Sequence, residues 1–297
     1  MKIESACNLW TDQPFLKVGL YGQTGAGKTH WASLAPRPLF LLTEEQALAT
    51  IATIHPDAHV CVVETWQDVI DALTSVTLAS SKTSKAGQRY CTSLLFSEPF
   101  QTVVIDSVTD LQELFIRDVI GADPADAYRT AGGGQMSLQS WGRLINVTQQ
   151  IMRDLRAAPC NVIATMLMTE SVIEVEGGSY IRRIPALFGK RLPTSIGQYL
   201  NALGYVTQDS AGHNVVLWHG GDRFVTKPAP GWPRKTITPT HAGAPGVTLG
   251  SLALRTCGDL PSVPRTEHDS ADHVPTDTPD FDTTTDGDAV TTEDTNV

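Results

Sequence analysis

Eight consecutive residues, Gly22-Gln23-Thr24-Gly25-Ala26-Gly27-Lys28-Thr29, narrow the folds open to this chain more than anything else in it. The spacing G-x-x-x-x-G-K-[ST] makes a loop whose backbone N–H groups converge on phosphate oxygens, with the lysine reaching the outer phosphates and the hydroxyl placed for Mg²⁺. Upstream, "LKVGLYG" reads as a strand; downstream, "KTHWASLA" reads as a helix stopped by Pro36. A strand that enters such a loop and a helix that leaves it put aligned N–H groups and a helix dipole where an anion is favoured. A glycine-rich turn matching by coincidence would need neither neighbour. Gly22, Gln23, Thr24, Gly25, Ala26, Gly27, Lys28, Thr29 and His30 are therefore the candidate nucleotide contacts, with ATP and Mg²⁺ as the expected cofactors.

Beyond the loop, apolar runs bounded by turn or helix signals recur at a spacing that predicts alternating strands and helices, hence a mainly parallel sheet covered on both faces. "PLFLLTEE", "HVCVVE", "FQTVVIDS" and "NVIATMLM" read as buried strands, with a helix expected after Trp66. Leu111, Leu114, Phe115 and Val119 recur at helical spacing after Ser107, a candidate N-cap. A helix of about five turns is expected after a second N-cap, Ser137, with Leu138, Trp141, Leu144, Ile145, Thr148, Ile151, Met152 and Leu155 along one side. Later the grammar changes: "SVIEVEGGSYIRRI" and "NVVLWHGGDRFVT" each set Gly-Gly between short strand-like runs, as β-hairpins do.

Composition decides what surrounds this core. Ten acids and no Lys or Arg lie between Glu267 and Val297, which leaves 22 acids against 22 bases in residues 1–266, so the net charge of −10 resides in the tail. That tail, rich in Thr, Asp and Pro, has too little apolar surface to offset the entropy of ordering it and is expected to be disordered. The resulting division is an N-terminal extension (1–14), a core (15–240), a linker (241–266) and an acidic tail (267–297). No apolar run approaches a membrane span and no secretion signal opens the chain, so a cytoplasmic protein without membrane contact is expected. The five cysteines are scattered and lack C-x-x-C spacing, which indicates neither a disulfide framework nor a zinc site.

Hydrolysis makes two further demands. An acid at the end of a buried strand must face the metal, and Asp106 after Val103, Val104 and Ile105 fits. A second group must polarise the attacking water. Glu44 and Glu45 follow the strand in "FLLTEEQAL", and Glu44, coming first, is the candidate base; the alternative is a solvated acidic pair in a first helical turn.

Taken in order, "GLYGQTGAGKTHWA", "FLLTEEQAL" and "TVVIDSVTDL" resemble the RecA-like P-loop ATPases. "MSLQSWGRLINVTQQIMRDLR" and "IPALFGKRLPTSIGQYLNALGYV" look like the phage nucleotide-binding, AAA-type branch of that group, whose core-only members bind single-stranded DNA and promote annealing. The resemblance spans about residues 15–230. It implies an α/β fold with C-terminal antiparallel hairpins, Lys28 and Thr29 on phosphate and Mg²⁺, Asp106 in the Mg²⁺ shell, and Glu44 as general base. RecA relatives usually place a polar sensor at the end of the strand matching "NVIATMLM"; this chain has Thr165, Met166 and Leu167 there, with Thr165 or Thr169 as the available substitutes.

The resemblance also implies two DNA-contacting loops. "GADPADAYRTAGGGQ" supplies Tyr128 and Arg129, and "EGGSYIRRIP" supplies Tyr180, Arg182 and Arg183. Aromatic faces stack on bases and guanidinium groups pair with phosphates; the other reading is a surface hairpin with solvated arginines. Lys190 and Arg191 are candidates to act in trans on a neighbour's γ-phosphate in a ring or filament, or else are ordinary surface cations. The tail either competes with DNA, docks on a basic partner such as a single-strand-binding or replication protein, or serves solubility alone. The rival functions are a nucleotide-gated scaffold with little hydrolysis, and a P-loop kinase or packaging-type motor.

Overall fold

Apolar runs with no solvent-facing position belong to strands covered on both sides. Lys17–Gly22, Pro38–Leu42 and Thr102–Asp106 are buried along their whole length in the computed structural model, which describes residues 15–85, 88–125, 136–241 and 246–255. The strands in chain order are β1 (Lys17–Gly22), β2 (Pro38–Leu42), β3 (His59–Val62), β4 (Ser80–Thr83), β5 (Arg89–Thr92) and β6 (Thr102–Asp106). They continue as β7 (Asn161–Val175), β8 (Gly178–Pro185), β9 (Ala202–Gln208), β10 (Asn214–Leu217) and β11 (Lys235–Ile237). The α-helices are α1 (Lys28–Ser33), α2 (Ala47–Ile54), α3 (Trp66–Thr77), α4 (Val108–Phe115), α5 (Leu138–Ala157), α6 (Leu192–Ser195) and α7 (Leu249–Arg255).

One mixed sheet runs in the order β11-β10-β9-β1-β7-β6-β2-β3, with β8 paired to β7. From β9 to β3 every pairing is parallel, while β10 and β11 are antiparallel. The two-residue period of the strands sorts the core into two layers. Tyr21, Leu39, Leu41, Val103, Ile105, Val162 and Ala164 pack with residues of α3, α4 and α5 on one face. Val18, Leu20, Phe40, Leu42, Val104 and Ile163 pack with Trp31 of α1 and Ile51 of α2 on the other, where Trp218 and Trp232 complete the layer. Among the described residues, no helix is long and apolar enough to cross a membrane.

The expected caps form. Ser107 Oγ accepts from Asp110 N (3.3 Å) and Ser137 Oγ from Ser140 N (3.1 Å). Thr65 and Asp68 close a reciprocal capping box at the start of α3. The face predicted for α5 is buried at Leu144, Thr148, Ile151, Met152 and Leu155. Leu138, however, is 91 % exposed, because it occupies the first turn, ahead of the stretch that lies on the sheet. Helix α4 is shorter than its apolar spacing predicts: after Phe115 the chain makes one π turn, Ile116–Ile120, ended by Gly121 at φ 72°.

The first Gly-Gly hairpin is β7–β8, which turns at Glu176 and Gly177. The second expected hairpin is not there. Gly220 and Gly221 lead into a short 3₁₀ turn, Gly221–Arg223, and β10 pairs instead with β9 and with β11. Trp218 drives this choice: buried against Trp31 and Trp232, it donates its backbone N–H to Arg234 O (2.8 Å) and its indole N–H to Thr236 Oγ1 (3.0 Å).

Candidate functional site

The site lies at the C-terminal ends of the parallel strands, where α/β sheets hold their ligands. Strand β1 ends at Gly22, the chain turns through Gly25 (φ 79°) and Gly27 (φ 95°), and α1 begins at Lys28. Positive φ at both glycines is a conformation that side-chain-bearing residues rarely adopt. Close packing constrains the loop as well: a Cβ on Gly22 would stand 2.4 Å from Val206 O. The Lys28 ammonium is buried and lies across the loop, donating to Gly22 O (3.0 Å) and Gln23 O (2.8 Å). Burial lowers its pKa from the ordinary lysine value, against the opposing pull of Asp106, Asp110 and Glu44.

Thr29 and Asp106, far apart in sequence, meet here: Thr29 Oγ1 donates to Asp106 Oδ2 at 2.6 Å. The other carboxylate oxygen, Oδ1, accepts from Thr165 Oγ1. Thr165 reaches it because β7 runs parallel beside β6 with Ala164 opposite Ile105, so the next residues along, Thr165 and Asp106, are neighbours. A family model described as an AAA domain matches residues 15–236. The chain belongs to that family. No curated protein matches it. The AAA domain is thus a nucleotide-binding P-loop ATPase domain.

The residues present fit Mg²⁺, which such domains usually bind with their nucleotide. Thr29 and Asp106 offer two adjacent hard oxygens, and among the described residues no cluster of three His, Cys, Asp or Glu forms a closed cage. Mg²⁺ takes one or two protein oxygens and completes its shell with phosphate and water.

Glu44 is placed by Thr43. The Thr43 N–H and hydroxyl both donate to Asp106 O (3.1 and 3.0 Å), and Thr43 Oγ1 accepts from Ser107 N (3.1 Å). Asp110 Oδ2 accepts from Ser107 Oγ and shares the single Thr43 hydroxyl proton with Asp106 O (Oγ1 to Oδ2 3.2 Å). The end of β2 is thereby stapled to the end of β6, and the exposed Glu44 projects beside the loop. Its pKa is raised, first by desolvation and then by the negative charges of Asp110, Asp106 and Glu113, with Lys28 opposing. Glu45, the other member of the acidic pair, is also exposed, and Glu45 O accepts from Leu48 N (3.0 Å) as α2 begins. Asp110 and Thr43 went unnoticed in the sequence. Asp110 had a visible signal, three residues after the N-cap in Ser107-Val108-Thr109-Asp110, but that signal reads only as a cap.

On the far side of β1 the loop meets the C-terminal strands. His30 Nε2 lies 2.8 Å from Pro239 O. A Cβ on Gly27 would stand 2.6 Å from Asn214 Nδ2; nothing local in the sequence marks Asn214.

The AAA domain holds the remaining candidates elsewhere. Tyr128 and Arg129 lie outside the described residues, as does the acidic tail. Tyr180, Arg182 and Arg183 sit on β8, but alternation divides them. Tyr180 and Arg182 share one face of the β7–β8 ribbon. Arg183 faces the other way, where it pairs with Glu170 (3.3 Å) and lies 5.7 Å over the Phe224 ring. Lys190 and Arg191 are exposed on the turn that leads from β8 into α6.

Proposed function

We propose that this AAA domain is a RecA-like ATPase of phage recombination, which binds single-stranded DNA as an ATP-dependent ring or filament and promotes strand annealing. The observation that carries it is the Thr29–Asp106 hydrogen bond. It joins the two nucleotide motifs in the order and geometry that nucleoside triphosphate hydrolysis needs. Lys28 neutralises the outer phosphates, the loop N–H groups hold the rest, and Glu44 polarises the attacking water. Its raised pKa suits a base that must accept a proton. Thr29 and Asp106 would hold Mg²⁺, which would supply positive charge against the phosphates.

The ribbon supports the DNA half of the reading. Tyr180 supplies a stacking face and Arg182 a phosphate partner on the same side of the ribbon. Arg183, paired with Glu170 on the other face, is not needed for that contact. Tyr128 and Arg129 supply the second DNA loop, and Lys190 or Arg191 acts across the subunit boundary. A single-strand-binding or replication protein is the partner of the acidic tail.

Turnover measured with no nucleic acid, single-stranded DNA, double-stranded DNA and RNA tests this. Stimulation by single strands alone, lost in a Tyr180→Ala/Arg182→Ala double variant and kept in Arg183→Ala, is expected. No binding and no stimulation would leave a bare nucleotide hydrolase. One observation favours the alternative, a nucleotide-gated scaffold: the only polar side chain of the Thr165-Met166-Leu167 stretch is engaged by Asp106. Annealing that survives Lys28→Ala intact would establish that alternative.

A further inference from the structure

We infer that Asn214 is a nucleotide-binding residue, whose side-chain amide donates to the phosphate chain of a bound nucleoside triphosphate from outside the glycine loop. The inference rests on the nucleotide reading of that loop.

Asn214 opens β10, on the opposite side of β1 from Asp106, Thr165 and Glu44. Its backbone is fixed from two directions. In the antiparallel ladder it stands opposite Gln208 of β9, and its carbonyl accepts from Thr238 N (2.8 Å), just past β11. The side chain is oriented in turn, because Oδ1 accepts from Gln208 Nε2 at 3.2 Å. That bond commits the oxygen to Gln208 and turns the NH₂ group toward Gly27. A Cβ at Gly27 would stand 2.6 Å from Nδ2 and 2.8 Å from Cγ, so the amide rests directly on the loop glycine that precedes Lys28. No described residue accepts a hydrogen bond from Nδ2, and Asn214 is only half-buried.

The chemistry of the two walls differs accordingly. The Asp106 side offers oxygen ligands and carboxylates, which suit a metal and an attacking water. The Asn214 side offers a neutral donor with no acceptor of its own, set against a loop whose other donors converge on phosphate oxygens. A neutral N–H aimed at an anion there adds a hydrogen bond without a competing charge. Because the contact is at Gly27, beside Lys28, the group it serves is a phosphate, and the gain is indifferent to the base.

Equilibrium binding of ATP, GTP and inorganic tripolyphosphate to Asn214→Ala, Asn214→Asp, Gln208→Ala and Lys28→Ala tests this, with melting without nucleotide as the control for folding. Losing one hydrogen bond to a charged group should weaken binding about tenfold in Asn214→Ala, equally for all three probes. Asn214→Asp should weaken it further, with a deficit that shrinks as salt rises, because a carboxylate beside phosphate repels it. Gln208→Ala, at an exposed position, should weaken binding about threefold by freeing the amide; this arm decides the matter if the Asn214 variants fail to fold. Unchanged affinity in folded Asn214 variants, or in Gln208→Ala where those do not fold, overturns the inference. So does a loss confined to ATP, which would make Asn214 a reader of the base. If Lys28→Ala binds like the parent, the loop reading itself falls, and this inference with it.

Discussion

Replacing Thr165 by Val removes one hydroxyl and almost no volume from a fully buried position. That hydroxyl donates to Asp106 Oδ1, and among the described residues no other side chain donates to this oxygen. Hydrogen bonds to charged groups contribute about 1.5–3 kcal/mol. Each kcal/mol moves the melting temperature by about 2–4 °C in a domain of this size, so Thr165→Val should melt roughly 3–12 °C lower. A second effect is separable from the first. With Oδ1 released, nothing holds Oδ2 toward Thr29 except Thr29 itself, so the Mg²⁺ concentration needed for half-maximal nucleotide binding should rise about 10–100-fold, the usual loss when a ligand's outer partner is removed. Thr165→Ser keeps the oxygen and should restore both readouts. Differential scanning calorimetry without nucleotide and Mg²⁺ titrations of fluorescent nucleotide binding measure them. A Thr165→Val protein that melts like the parent and needs no more Mg²⁺ would refute the assignment of Thr165 as the residue that positions Asp106.

Three other outcomes are expected. Glu44→Gln should keep nucleotide affinity and lose most turnover; since the base acts ionised and its pKa is raised, the acid limb of the parent's pH–rate profile should lie above the usual glutamate range and vanish in the variant. Lys17 donates to Ala158 O (2.7 Å) and Cys160 O in the core, and burial lowers its pKa from 10.5 to about 8. The unfolded chain then binds a proton that the folded chain does not between about pH 8 and 10.5, so stability rises with pH across that window, by up to about 3 kcal/mol. Denaturant unfolding of the parent against Lys17→Met at pH 7 and pH 10 should show the parent gaining relative to the variant at the higher pH. Thr65→Ala, which removes the capping box of α3, should lower stability by about 1 kcal/mol in the same assay and leave nucleotide binding untouched.

What the sequence discloses about this chain is what short-range chemistry controls. The phosphate loop, its helix, the Ser107 and Ser137 caps and the buried runs ending at Leu42 and Asp106 each depend on spacing within a dozen residues, and all of them are where the pattern puts them. The partners of those elements depend on sheet order, which local spacing does not encode. Thr165 reads as a stand-in sensor from its place in an apolar run, yet its hydroxyl is tied to Asp106 because β7 inserts between β1 and β6. Asn214 reaches the loop through pairing with β9 and the chain beyond β11. The Gly-Gly at 220–221 looked like a hairpin because glycine pairs mark turns of many kinds, and here the burial of Trp218 decided which strand β10 would join.

Strand β7 runs unbroken from Asn161 to Val175, so the residue that grips Asp106 and the ribbon that carries Tyr180 and Arg182 belong to one continuous strand pair. At about 3.3 Å per residue, Thr165 and Val175 are about 33 Å apart along it. A tilt of about 5° at the Thr165 end would therefore sweep the tip through about 3 Å. The paired length is a lever arm, on which a small change of angle beside Asp106 becomes a much larger displacement at the tip.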